Sequence, residues 1–91
     1  MKPHHYTQDK ILDWGIQVGR LIDDTDKFND AYGNSLYKLN LSTRNMRARF
    51  NEGVSIGSRM AGHEEDSLIF LKLAAKQFGT DHYPARLQEA V

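Results

Sequence analysis

The chain has 91 residues, 40% of them hydrophobic and 26% charged, with acidic and basic side chains in equal number and no cysteine. That length holds one domain, 1–91, and a mixture of this kind folds into a core and does not stay disordered. Zero net charge excludes a long-range pull of the whole molecule toward nucleic acid or anionic membranes, and the lack of cysteine excludes disulfides, zinc knuckles and thiol nucleophiles.

Residues 1–6 read as a loose N-terminus, with Pro3 discouraging an early helix. The opening MKPHHYTQDK has no apolar core of the kind a secretory leader carries, and no run approaches membrane-spanning length. The expectation is a cytoplasmic protein with no membrane partner.

The first predicted helix covers about 8–22. Thr7 serves as its cap, and Ile11, Trp14, Gly15, Val18, Leu21 and Ile22 recur at helical spacing. Trp14, Ile16 and Val18 also alternate with Gly15, Gln17 and Gly19 as a strand would, but the apolar residues on either side keep the longer period. Asp23, Asp24, Thr25 and Asp26 form a turn and an acidic cap. The spacing is not that of a calcium loop, because Phe28 interrupts the alternate ligands.

The second helix is expected over about 25–40, from Phe28, Ala31, Tyr32, Leu36 and Leu39. An α+β alternative puts a short hairpin turn at Gly33-Asn34. Tyr37 falls on the polar side of this helix, which makes it the aromatic expected to be exposed and a candidate contact.

The stretch 42–62 is the centre of the chain. Ser42 can cap a third helix over about 43–61, and Gly62 can close it in a left-handed conformation. Met46, Phe50, Gly53, Val54, Gly57, Met60 and Ala61 share one face. Gly53 and Gly57 are one turn apart, and each costs roughly 1 kcal/mol against Ala in a helix interior. Keeping both implies a partner backbone at close range. Gly15 and Gly19 repeat the same pattern of Gly, β-branched, polar, β-branched, Gly at a distance of 38 residues. The expectation is that the two glycine strips meet, within the chain or across a homodimer. Trp14, Gly15, Gly19, Phe50, Gly53 and Gly57 are therefore the predicted packing and interface set.

The segment Gly53-Val54-Ser55-Ile56-Gly57-Ser58 resembles the turn and recognition-helix opening of helix-turn-helix repressors of the tetracycline-repressor kind, which often carry Gly-Val-Ser-x-Gly-Thr. The resemblance implies a turn at Gly53 and a helix from Ser55 to Arg59 entering the major groove. Arg49 stands where that motif has a small residue, Arg59 where it has a buried apolar one, and Met60 where it has an aromatic. Arg44, Arg47, Arg49 and Arg59 are candidate contacts to nucleic acid or to an acidic partner. The competing expectation pairs them with Glu64, Glu65, Asp66 and the acidic run 23–30.

The fourth helix is expected over about 64–78, with three carboxylates in its first turn and Gly79 at its end. It is apolar on nearly every side, which predicts a central helix or an oligomer contact. Pro84 can open a short last helix over 84–90.

No HExxH pair, nucleophile elbow or phosphate-cradling loop is present, and His63 with Glu64–Asp66, or Asp81 with His82, lacks metal-ligand spacing. No catalytic residue, metal or cofactor is predicted. The sequence reads as an all-α bundle of four helices plus a short fifth. The expected function is that of a small non-enzymatic accessory or inhibitory protein that binds another protein. The alternative is a nucleic-acid-binding transcriptional regulator using 42–62.

Overall fold

The computed structural model describes residues 8–39 and 44–78. They form α1 (Gln8–Gly19), α2 (Thr25–Lys38), α3 (Arg44–Met60) and α4 (Glu64–Phe78), with no strand among them. The expected loose segment 1–6, the caps at Thr7, Ser42 and Gly79 and the helix 84–90 lie outside the described residues. Among the described residues, no helix is long and apolar enough to cross a membrane.

Helix ends follow from local chemistry. α1 stops at Gly19, three residues before the predicted end. The chain then tightens through three-residue bonds, Leu21 N–H to Val18 O, Ile22 N–H to Gly19 O and Asp24 N–H to Leu21 O. Asp24 caps α2 by accepting from the Lys27 amide at 3.2 Å. The hairpin alternative is wrong: Gly33 and Asn34 lie inside α2, which runs on to Lys38 and stops short of the predicted residue 40.

α3 ends in a Schellman motif, with His63 N–H bonded to Ser58 O and Gly62 N–H to Arg59 O. Gly62 has φ +91°, a left-handed value that glycine alone adopts cheaply.

α1 and α3 lie almost backbone to backbone. A Cβ built on Gly15 would sit 2.2 Å from the Phe50 carbonyl oxygen, and one on Gly53 2.2 Å from that of Leu12. One turn on, a Cβ on Gly19 would sit 2.3 Å from Val54 O, and one on Gly57 2.1 Å from Ile16 O. Only hydrogen fits in these gaps, so each glycine directs a Cα–H at a carbonyl across the crossing, a weak but repeated attraction. Gly15 lies beside Phe50, Gly53 and Val54, and Gly19 beside Val54 and Ser58, so the two helices run in the same direction.

Every such contact also has a counterpart 38 residues along. Gly15 on Phe50 matches Gly53 on Leu12, and Gly19 on Val54 matches Gly57 on Ile16. Tyr32 and Phe70, separated by the same interval, meet with ring centroids 5.4 Å apart. The crossing therefore has a local two-fold axis.

α3 is the central helix, packed against α1 on one side and α4 on the other. Of the two expectations for α4, a central helix or an oligomer contact, the first is corrected: α4 is apolar but peripheral. Ala48, Gly53, Ser55, Gly57 and Ser58 are buried and small, so neighbouring helices can close on α3 from two sides. The main core gathers Ile11, Val18, Phe28, Leu39, Phe50 and Val54. Trp14 meets Phe50 edge-on at 5.7 Å, and α2 inserts Phe28 and Tyr32 against Phe70. Ala48, Ala74 and Ala75 make a smaller cluster between α3 and α4.

Candidate interaction surface

The predicted packing set divides cleanly by accessibility. Gly15, Gly19, Gly53, Gly57 and Phe50 are buried in the α1–α3 crossing, and Trp14 is half-buried over Phe50. None of these five buried positions presents a face to a partner. Tyr37, by contrast, is 82% exposed on the far side of α2.

The turn that the helix-turn-helix resemblance requires is not formed. α3 is unbroken from Arg44 to Met60, and Gly53 sits in its interior with its Cα against Gly15. The backbone of Gly53 and Gly57 is covered by α1, so that face of α3 is closed to a groove of DNA.

Arg47, Arg49 and Arg59 are spread along α3. Arg44 opens α3. Arg47 and Arg49 are half-buried, and Arg59 is exposed at its far end. Arg49 pairs with the fully buried Glu52 of its own helix, not with the acidic segments 23–30 or 64–66. A buried carboxylate needs such a partner, because leaving it unpaired costs several kcal/mol.

α3 also carries a polar seam that local pattern reading misses. Asn51 accepts from the Tyr32 hydroxyl at 2.7 Å and donates to Gln77 Oε1 at 2.9 Å and Arg47 O at 3.2 Å. Burial pushes the Tyr32 hydroxyl above its usual pKa. Ser55 donates to Ser67 O at 2.7 Å, with the Ser67 hydroxyl 2.9 Å away. The partners on other helices lie 12 to 26 residues away in sequence. These groups are consumed by one another, which suits a structural role. Ser58 is the exception: its buried hydroxyl has no partner among the described residues.

His63 joins two turns. Its Nε2 bonds Asp23, between α1 and α2, while its Nδ1 lies 3.5 Å from Asp66 in the first turn of α4. The hydrogen bond to Asp23 raises its pKa most; burial opposes it next, and the charges of Asp23 and Asp66 add smaller upward shifts. A carboxylate lies beside each ring nitrogen, an arrangement that favours the doubly protonated imidazole. Among the described residues, no group of three His, Asp or Glu side chains is placed to hold a metal ion. Asp81 and His82 lie outside them.

What remains is an apolar surface. A groove of about 540 Å³ runs between α3 and α4, with Ile56, Met60, Leu68 and Leu71 as its apolar lining and Arg59 and Glu64 as its charges. Met60 is 62% exposed and Leu68 50%, although Met60 had been expected on the packed face with the glycines. α1 does not reach that end of α3: its last glycine, Gly19, lies against Val54 and Ser58. Farther around α4, Ile69 is 61% exposed and Leu73 37%. Leu68, Ile69 and Leu73 are the residues whose apolar count suggested a buried helix.

No known protein family, curated protein or solved structure matches the chain.

Proposed function

We propose that this is a small non-enzymatic accessory or inhibitory protein that works by binding another protein. The observation that carries the reading is the α3–α4 groove. It exposes Met60 and Leu68 beside half-buried Ile56 and Leu71, with Arg59 and Glu64 at the edge. Soluble chains seldom leave adjacent large apolar side chains in water unless something covers them, and an apolar centre with a charged rim is the usual anatomy of a protein contact.

The other candidate groups favour the same reading. The polar groups of Asn51 and Ser55 are engaged within the chain, and the imidazole of His63 is held between two carboxylates. No glycine of the crossing is accessible to a ligand.

The test is site-specific photo-crosslinking in the cell that natively encodes the chain. A photoreactive residue replaces Met60 in one version and the exposed Asn34 of α2 in the other. The reading expects a discrete adduct with a second, different protein from position 60 and only background from position 34. Equal background at both positions refutes it.

A further inference from the structure

A separate feature lies on the outward face of α4, around the helix from the groove. Glu65, Ile69, Lys72, Leu73 and Lys76 are all exposed. Their spacing of four, seven, eight and eleven residues from Glu65 puts them on one stripe. The stripe begins acidic, with Glu64, Glu65 and Asp66 in the first turn, and ends basic at Lys76.

We infer that this stripe is a self-association surface, which pairs α4 with α4 of a second copy in antiparallel orientation. The charge order selects both occupant and direction. Reversing one helix against the other about a two-fold axis between residues 70 and 71 brings Glu65 of each copy to Lys76 of the other. The apolar Ile69 and Leu73 then fall in the middle of the contact, where the Lys72 stem can lie over Ile69 with its ammonium in water. A parallel pairing sets Glu65 against Glu65 and Lys76 against Lys76. The helix dipoles favour the antiparallel choice as well. Such a contact is isologous: one patch on each copy serves both sides and closes the assembly at two.

The size of the face sets the strength. Fifteen residues of helix extend roughly 22 Å. One side of that rod buries less than the ~800 Å² per partner of standard stable interfaces. The dimer is accordingly weak, forming at micromolar or higher concentrations, and it loosens in high salt because its end contacts are exposed ion pairs.

The experiment is sedimentation equilibrium of the full chain from about 10 μM to about 1 mM, a range chosen to bracket weak dimers. The wild type shows a monomer–dimer equilibrium. Glu65→Lys and Lys76→Glu each weaken it about tenfold, since both end pairs become repulsive. The double variant Glu65→Lys/Lys76→Glu regains wild-type association. Mixed together, the two single variants form heterodimers in preference to either homodimer, while the loss on each single reversal and its recovery in the double variant are what only an antiparallel contact gives. Circular dichroism checks that each exposed substitution leaves the helices intact.

The inference fails if the wild type stays monomeric at the top concentration. It also fails if the charge variants associate unchanged, or if Met60→Lys in the groove abolishes the dimer while Ile69→Asp does not. A monomeric wild type whose position 60 still crosslinks to another protein overturns the dimer alone and leaves the proposed function standing.

Discussion

Gly15→Ala is the sharpest probe of the α1–α3 crossing, because two effects of opposite sign compete at that position. On helix propensity alone the substitution stabilises by about 1 kcal/mol, since alanine loses less backbone entropy than glycine. Against that, the new methyl sits 2.2 Å from the Phe50 carbonyl oxygen and 2.9 Å from the Gly53 Cα, both of them backbone. Ordinary contact begins at 3.4 Å, so the helices have to part by about 1.2 Å at that point. No rotamer change relieves a clash with main chain. Overpacking of a close-packed core costs typically 1–3 kcal/mol, and a rigid neighbour puts this case at the upper end. Parting the helices also weakens the Cα–H···O contacts, worth perhaps 0.5–1 kcal/mol each. The balance is a net loss of about 2–3 kcal/mol, or roughly 10 °C or more in Tm for a domain of this size. Gly33→Ala is the matched control, since nothing lies within 4 Å of its built Cβ and it is exposed within α2. There only the propensity term acts, and stability rises by up to about 1 kcal/mol. Urea denaturation with unchanged m-values reads both variants. If Gly15→Ala proves as stable as the parent, the close crossing does not exist as described. Combining Gly15→Ala with Gly53→Ala should cost less than the two losses added, because the first methyl has already opened the gap that the second needs.

Two further outcomes follow from buried and titrating groups. Ser58→Ala removes a buried hydroxyl that has no partner among the described residues. It should raise stability by about 1 kcal/mol, read as a higher urea midpoint, and a loss of that size would mean the hydroxyl is in use. The His63 pKa lies above its ordinary value of 6.5, chiefly through Asp23. The contribution of the bridge is therefore complete below about pH 6.5 and is lost as pH rises through the raised value. Thermal melts across that window should fall more steeply for the parent than for Asp23→Asn, and parallel curves would show that the bridge contributes nothing.

Much of the architecture was readable from local pattern, and the failures have a common cause. Helical periods found all four elements, because apolar residues three and four apart need no knowledge of the partner. The glycine spacing in 15–19 and 53–57 pointed to close approach, and Gly62 stands where a helix must end. Gly33 shows the limit of such reading, being the same residue type in a helix with nothing packed on it. Counting apolar side chains offers α4 as a central helix, and that count does not decide its place. What makes α3 central is small volume, through Ala48, Gly53, Ser55, Gly57 and Ser58, together with polar partners drawn from other helices. Asn51 finds Tyr32 and Gln77, Ser55 finds Ser67, and His63 finds Asp23 40 residues away. No local window contains these pairs. The ion pair of Arg49 escaped for the same reason, since its partner Glu52 is fixed by burial and not by local spacing.

The close crossing also bears on where a binding surface can form. Where the two helices meet through hydrogen atoms no large side chain fits between them, while Ile11, Trp14 and Val18 of α1 and Phe50 and Val54 of α3 pack into the main core. Beyond it, α3 meets α4 through Ala48, Ala74, Ala75 and the Ser55–Ser67 pair, which are again small. The large residues of α4 are therefore not all needed as filling, and Leu68, Ile69 and Leu73 turn outward with Met60 of α3. In a core packed mainly by bulky side chains, the same residues would be drawn inward and their removal would unfold the protein. On the binding roles proposed above, folding and association would rest on different residues. Substitutions at 60 or 69 should abolish association while leaving the melting curve nearly unchanged, and substitutions at 15 or 53 should do the reverse.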